Sequence, residues 1–169
     1  TKPGSSRTMS ENSRTINTIQ VSNAEFIPKV IELLEEGHTV TLPLRGYSMR
    51  PFLENNRDKG LLEKAVHVQV GDAVLAEVCP KKYVLHRIIR IQGNEVILRG
   101  DGNIGTERCQ IKDVKGLTIG FYRKGREHLD RTDGMKWKVY SCVWTSLFPI
   151  RRYLLAFYRR IWLRFFKPI

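Results

Sequence analysis

Three residues of this chain could together perform nucleophilic chemistry: a serine, a histidine and an aspartate. Ser48 lies between a glycine and a proline, directly after an apolar run over residues 39–44. His86 lies within a β-like run over residues 83–91, and Asp101 lies in a glycine-rich turn. A serine hydroxyl becomes a nucleophile when a base accepts its proton, and a neutral imidazole suits that role near pH 7. These residue types predict a serine hydrolase site.

Short strands and tight turns are predicted around these residues. The predicted strands cover residues 39–44, 60–66, 73–78, 83–91, 95–98 and 117–122. A hairpin turn at residues 92–94 would pair His86 with a residue near 100, next to Asp101. An apolar stripe at helical spacing predicts one helix over residues 23–36. We therefore expect a mainly β domain with minor α content, built as a curled, mostly antiparallel sheet.

Four ordered motifs resemble the superfamily of signal peptidase I and the LexA-like serine peptidases. They are Ser-Met-x-Pro at Ser48, Val-Gly-Asp-Ala-Val at residues 70–74, His-Arg-Ile at His86 and Gly-Asp-x-Asn at residues 100–103. The resemblance covers roughly residues 39–120. Commoner members have a lysine base in the third of these motifs, whereas His86 is similar to the endoplasmic-reticulum and archaeal type. The resemblance implies a serine endopeptidase that cleaves leader or signal segments of peptide or protein substrates.

The resemblance also implies a role for each site residue. Ser48 would be the nucleophile and His86 the general base. Asp101 would either hold the second imidazole nitrogen, as in a catalytic triad, or cap its own turn. The backbone N–H of Ser48 is the expected oxyanion donor. Many bacterial signal peptidases carry a second hydroxyl two residues before the nucleophile, where this chain has Gly46.

The remaining potential ligands do not form a pattern. The three cysteines, Cys79, Cys109 and Cys142, are widely spaced, and His38, His67 and His128 have no partners at metal-ligand spacing. Ordinary thiols are expected, and neither a metal nor another cofactor is predicted.

Charge is unevenly distributed along the chain. The net charge is +12, and no acidic residue follows Asp133, although eight lysines and arginines do. The expected organisation is a flexible tail at residues 1–20, a peptidase domain at 21–124, a connector at 125–142 and a basic amphipathic helix at 143–169. Such asymmetry favours an anionic partner.

The C-terminal helix is interpreted as a membrane-surface element. Wide aromatic and cationic faces suit lipid headgroups, whereas packing within the protein and nucleic-acid binding are the alternatives. The candidate membrane-binding residues are Arg152, Trp162, Arg164, Phe165 and Phe166. No apolar stretch of about 18 residues is present and the first 20 residues lack an apolar core. We therefore expect a peripheral membrane protein that is otherwise cytoplasmic.

Two other functions fit the same motifs. A catalytically idle relative would serve as a membrane-associated interaction module. A self-cleaving protease of the repressor type would need a DNA-binding module before the peptidase and an Ala-Gly or Cys-Gly bond, and the sequence has neither. A serine endopeptidase is the leading prediction.

Overall fold

The computed structural model describes residues 23–169, in which eight strands and several helical segments form. The strands are β1 (Val40–Pro43), β2 (Lys59–Lys64), β3 (Ala73–Cys79), β4 (Lys82–Gln92), β5 (Glu95–Arg99), β6 (Glu107–Gln110), β7 (Val114–Tyr122) and β8 (Leu129–Arg131). The helices are α1 (Asn23–Glu35), α2 (Met135–Ser146), α3 (Arg151–Phe157) and the short α4 (Leu163–Phe165). A π-helical turn, Tyr158–Trp162, joins α3 to α4. The predicted tail at residues 1–20 lies outside the described residues.

One antiparallel sheet contains all eight strands. Its order is β1-β2-β7-β3-β4-β5-β6, and β8 pairs with β7. The prediction of a mainly β, antiparallel fold with minor helical content is confirmed. The predicted curling is wrong, because the strand path is open and its end strands, β1 and β6, do not pair with each other.

Helix α1 covers one end of the sheet. Ile27, Val30 and Leu34 follow helical spacing and are buried against Leu42, Leu62 and Leu75. Burial of such an apolar stripe is the main stabilisation of a helix of this length. Gly37 follows with φ of 89°, the left-handed conformation that commonly ends a helix.

The two faces of β4 enter different parts of the core. Ile88 packs with Val74, Val96 and Leu98 on one face. Because side chains alternate along a strand, His86 lies on that face and Arg87 on the opposite one. The Arg87 guanidinium lies 4.6 Å from the ring centroid of Trp137, which belongs to α2.

The C-terminal part of the chain is folded onto the sheet. Residues 125–142, predicted to be a connector, instead include β8 and most of α2. Trp137 and Trp144 of α2 are buried, since their indoles fill the space beside the sheet. The single helix predicted for residues 143–169 is interrupted at Pro149, which lies in a 3₁₀ turn between α2 and α3.

Candidate active site

Two turns interlock through their backbones at the centre of the site. The N–H of Gly102 donates to the carbonyl of Ser48 at 2.7 Å, and the N–H of Asn103 donates to the carbonyl of Gly100 at 2.9 Å. A Cβ at Gly100 would clash with the Ser48 carbonyl, and one at Gly102 would lie 2.5 Å from the Tyr47 carbonyl. Glycine is therefore required at both positions, because the two backbones approach too closely for any side chain.

His86 lies beside Ser48 in this arrangement. The hairpin register pairs Arg87 with Arg99, which puts His86 across from residue 100, as predicted. A Cβ at Gly100, which would touch the Ser48 carbonyl, would lie only 3.0 Å from Nε2 of His86. Within residues 23–169, no hydrogen bond joins the Ser48 hydroxyl to His86.

Glu107 is the carboxylate that orients His86. Its Oε2 lies 2.9 Å from Nδ1 of the imidazole. Glu107 begins β6 and pairs with Leu98 of β5, so the pairing of these strands positions the carboxylate next to His86. The His86 side chain is 5% exposed and that of Glu107 is 28% exposed. Sequence reasoning missed this residue, because Glu107–Gln110 is a short polar strand with no apolar alternation.

Asp101 has a different role from the predicted one. Its two carboxylate oxygens accept hydrogen bonds from Nε and Nη2 of Arg87, at 2.8 and 2.7 Å. The hydroxyl of Tyr140 donates to the same carboxylate at 2.8 Å. Asp101 is 1% exposed. The prediction that Asp101 holds the second imidazole nitrogen is contradicted by these contacts, since Arg87 occupies the carboxylate and Glu107 occupies Nδ1.

Helix α2 and the segment after α3 brace the same turn. The indole N–H of Trp144 donates to the carbonyl of Asp101 at 2.9 Å. Nη2 of Arg159 donates to the carbonyl of Gly102 at 2.9 Å. The turn that holds Ser48 is therefore supported from outside by the C-terminal part of the chain.

Burial sets the protonation of the site. It lowers the pKa of His86, and the charge and hydrogen bond of Glu107 oppose this change without reversing it. The imidazole is therefore neutral near pH 7, the form that a general base requires. Burial alone would lower the pKa of Arg87 as well, but the hydrogen bonds and charge of Asp101 outweigh it and the pKa of Arg87 is raised.

Two nitrogens could stabilise an oxyanion. Among the described residues, the backbone N–H of Ser48 donates to no other group, so it is available to an oxyanion. The Gly46 N–H, by contrast, donates to Oδ1 of Asn55 at 2.8 Å. The side chain of Asn103 also reaches this place. Its Nδ2 would lie 2.9 Å from a Cβ built on Gly100, and the Ser48 carbonyl and Nε2 of His86 lie near the same Cβ position. This side chain could supply the donor that a hydroxyl at position 46 would have provided.

A groove of about 460 Å³ leads to Ser48. Residues 42–46 form one wall and residues 81–85 the other, with Phe26 and Ile27 of α1 nearby. Strand β1 pairs only with β2, and the first residues of β4 pair only with β3. Both walls therefore have a strand edge that is unpaired within residues 23–169.

The candidate membrane-binding residues are divided by the fold. Arg164 is exposed, and Phe165 and Phe166 are 70% and 60% exposed. Trp162 is half-buried and contacts Phe166, with ring centroids 4.7 Å apart. Arg152 is exposed beside Glu107, at a second cavity. Tyr158, which lies in the same predicted helix, is buried against the domain.

No protein-family model and no curated protein sequence matches this chain. Within residues 23–169, no group of histidine, cysteine and acidic side chains has the arrangement of a metal site. None of the helices in that part of the chain has the length and apolar character needed to cross a bilayer.

Proposed function

We propose that this protein is a serine endopeptidase in which Ser48 is the nucleophile, His86 the general base and Glu107 the residue that orients His86. The observation that carries the proposal is the interlocked pair of turns, which brings the Ser48 backbone and Nε2 of His86 close to one point beside Gly100 while Nδ1 is bound to Glu107. Nucleophile, base and orienting carboxylate thus stand in the order that a triad requires.

The reaction follows from these positions. Ser48 Oγ forms a bond to the scissile carbonyl carbon as its proton passes to Nε2 of His86. The tetrahedral intermediate then collapses, the C–N bond breaks, and His86 returns the proton to the leaving amine. A water molecule releases the acyl group by the same steps. Glu107 stabilises the imidazolium that forms in each half-reaction, and the N–H of Ser48 and the amide of Asn103 donate to the oxyanion.

The substrate is an extended, largely apolar segment. Unpaired strand edges on both walls of the groove can form main-chain hydrogen bonds with a peptide that enters as an additional strand. Leu42, Leu44 and Met49 line the groove on the way to Ser48. This lining suits an apolar leader or signal segment, and the resemblance to signal peptidases implies small side chains next to the cleaved bond.

The enzyme works at an anionic membrane surface. The exposed aromatic residues of the C-terminal segment lie next to exposed cations such as Arg164 and Lys167. Aromatic side chains partition into the interface, and basic residues add on the order of 1 kcal/mol each near anionic lipid. Membrane attachment would bring the groove close to leader segments that emerge from the bilayer. Nucleic acid is a poorer fit to a surface rich in exposed phenylalanine.

A fluorophosphonate probe and a cleavage assay test the proposal. The purified protein should become labelled at Ser48 and should cleave peptides that carry an apolar leader followed by a small residue. Ser48→Ala should abolish both signals without changing the circular dichroism spectrum. A folded wild-type protein that neither reacts nor cleaves would overturn the peptidase and favour the idle interaction module.

A further inference from the structure

A second cavity adjoins the site at the loop that follows Asp101. It has a volume of about 380 Å³ and lies between the loop at residues 102–107 and helix α3. Asn103 and Glu107 line it, so the cavity begins at side chains that also face His86. The apolar groove reaches the same site at Ser48, which is not among the residues that line the second cavity. A peptide that fills the groove up to its scissile bond would continue into this cavity.

The cavity has a cationic wall. Arg152 and Arg159 of the C-terminal segment both line it. Nη2 of Arg159 is bound to the Gly102 carbonyl, but a guanidinium has five N–H donors, so others stay available. Arg152 makes no hydrogen bond within the described part of the chain. Among the residues that line the cavity, Glu107 is the one acidic residue, and its Oε2 is bound to His86.

We propose that this cavity is a subsite for an acidic side chain of the substrate, within the first three residues after the scissile bond. The inference rests on the proposed peptidase function. Three extended residues span about 10 Å, which is enough to pass from Ser48 into an adjoining cavity. Arginine binds a carboxylate through paired, charge-assisted hydrogen bonds. A substrate with lysine or with an uncharged side chain of similar size at this position cannot form them. The substrate class is therefore an apolar leader followed by an acidic residue.

The test uses peptides with one shared apolar leader and Asp, Asn or Lys at the first, second or third residue after the cleaved bond, one position at a time. For the wild-type protein without lipid, kcat/KM should be about ten- to a hundredfold higher for Asp than for Lys, the value of one charged hydrogen bond. The preference should diminish in high salt, because the cavity is open to solvent.

Arg152→Glu should reverse the order of the Asp and Lys peptides, because the wall becomes acidic. Arg126→Glu changes the same charge at an exposed position outside the cavity and should keep the wild-type order. Equal kcat/KM values for the Asp, Asn and Lys peptides at all three positions, or an unchanged order in Arg152→Glu, would overturn the subsite while leaving the peptidase intact.

Binding to the inactive Ser48→Ala variant provides a second measurement. The Asp peptide should bind about tenfold or more tightly than the Lys peptide by fluorescence anisotropy. If the wild-type protein cleaves nothing, the peptidase proposal fails. Equal binding of both peptides to Ser48→Ala would then reject the acidic subsite as well.

Discussion

His86 and Arg87 are neighbours on β4, and the two faces of that strand use them in opposite ways. On one face, His86 contacts a single carboxylate that is partly exposed. On the other, Arg87 is bound by both oxygens of Asp101, by the Gly71 carbonyl and by the Ser141 hydroxyl. The first face leaves Nε2 available for chemistry, and the second leaves the Arg87–Asp101 pair inaccessible.

The difference shows how one strand can supply both reactivity and rigidity. A buried ion pair that is fully hydrogen-bonded fixes the geometry around it, whereas a base must keep one nitrogen free to exchange a proton. Asp101 and Glu107 are both carboxylates near His86, and only their surroundings assign them to different functions. Variants at His86, Glu107 and Asp101 separate the two faces.

The largest expected effect is on the chemical face. His86→Ala removes the base, so kcat/KM for a leader peptide should fall by about 10⁴- to 10⁶-fold. Fluorophosphonate labelling of Ser48 should fall with it. His128→Ala, a histidine outside the site, is the matched control and should retain full activity. Retention of more than a tenth of the activity in His86→Ala would show that another group activates Ser48.

Exchange of the two carboxylates for amides should separate activity from stability. Glu107→Gln should reduce kcat by about 10²- to 10⁴-fold and change the free energy of unfolding by under about 1 kcal/mol, since Glu107 is partly exposed. Asp101→Asn should lower the free energy of unfolding by about 3–5 kcal/mol, because it leaves the Arg87 charge buried without its counter-ion. Urea denaturation and peptide cleavage measure the two quantities.

A surface carboxylate provides the control for that exchange. Glu95→Gln removes the exposed pair with Arg108 and should change neither quantity appreciably. If Asp101→Asn were stable but inactive and Glu107→Gln fully active, Asp101 would be the orienting residue after all.

The exposed and buried aromatic residues of the C-terminal segment offer a second comparison. Replacement of Phe165 and Phe166 by serine should weaken binding to phosphatidylglycerol vesicles by about ten- to a hundredfold, because each ring contributes about 1 kcal/mol or more at half burial. Stability should not change. Trp144→Ala, in contrast, should lower the free energy of unfolding by about 3–5 kcal/mol, since its indole is buried and binds the Asp101 carbonyl.

Val66 and Val70 supply the control for the membrane variant. Both are exposed, and they lie in the segment between β2 and β3. Their replacement by serine should leave flotation with the vesicles unchanged. Equal loss of binding in both double variants, or none in either, would remove the C-terminal segment as the membrane contact.

The fold and part of the site could be predicted because their signals are local. Alternating apolar residues located six of the eight strands, and the turn at Gly93 was enough to bring residue 100 opposite His86. The orienting carboxylate could not be predicted in the same way. Asp101 lies at the expected place in the chain, but side chains alternate along β4, and Asp101 lies on the face of Arg87 and binds it instead of His86. Which of the two neighbouring side chains binds Asp101 depends on side-chain packing and cannot be read from sequence order.

The C-terminal segment illustrates a second limit of sequence reasoning. Its wide aromatic face was predicted to contact lipid, yet Trp144, Leu155 and Tyr158 are buried and only part of the aromatic surface remains exposed. Periodicity identifies residues that avoid water and does not say whether protein or lipid will cover them. The indole of Trp144 had a partner, the Asp101 carbonyl, that only the folded chain could reveal.

The smallest expected effect concerns pH and tests the contact between His86 and Glu107 directly. Burial lowers the pKa of His86 below its ordinary value of about 6.5, so kcat/KM should stay high down to that pH and fall as the pH drops through the lowered pKa. The folded protein binds fewer protons than the unfolded chain over the same window, so this part of the stability is present above about pH 6.5 and is lost on acidification.

Glu107 raises the pKa of His86, so Glu107→Gln should move the acid limb of the kcat/KM profile to still lower pH while its plateau falls. At pH 5.5, with each profile normalised to its own plateau, Glu107→Gln should retain a larger fraction of its kcat/KM than the wild-type protein does. Glu127→Gln, at an exposed position, should reproduce the wild-type profile. An acid limb that stays in place or moves to higher pH in Glu107→Gln would show that Glu107 does not act on the titrating histidine.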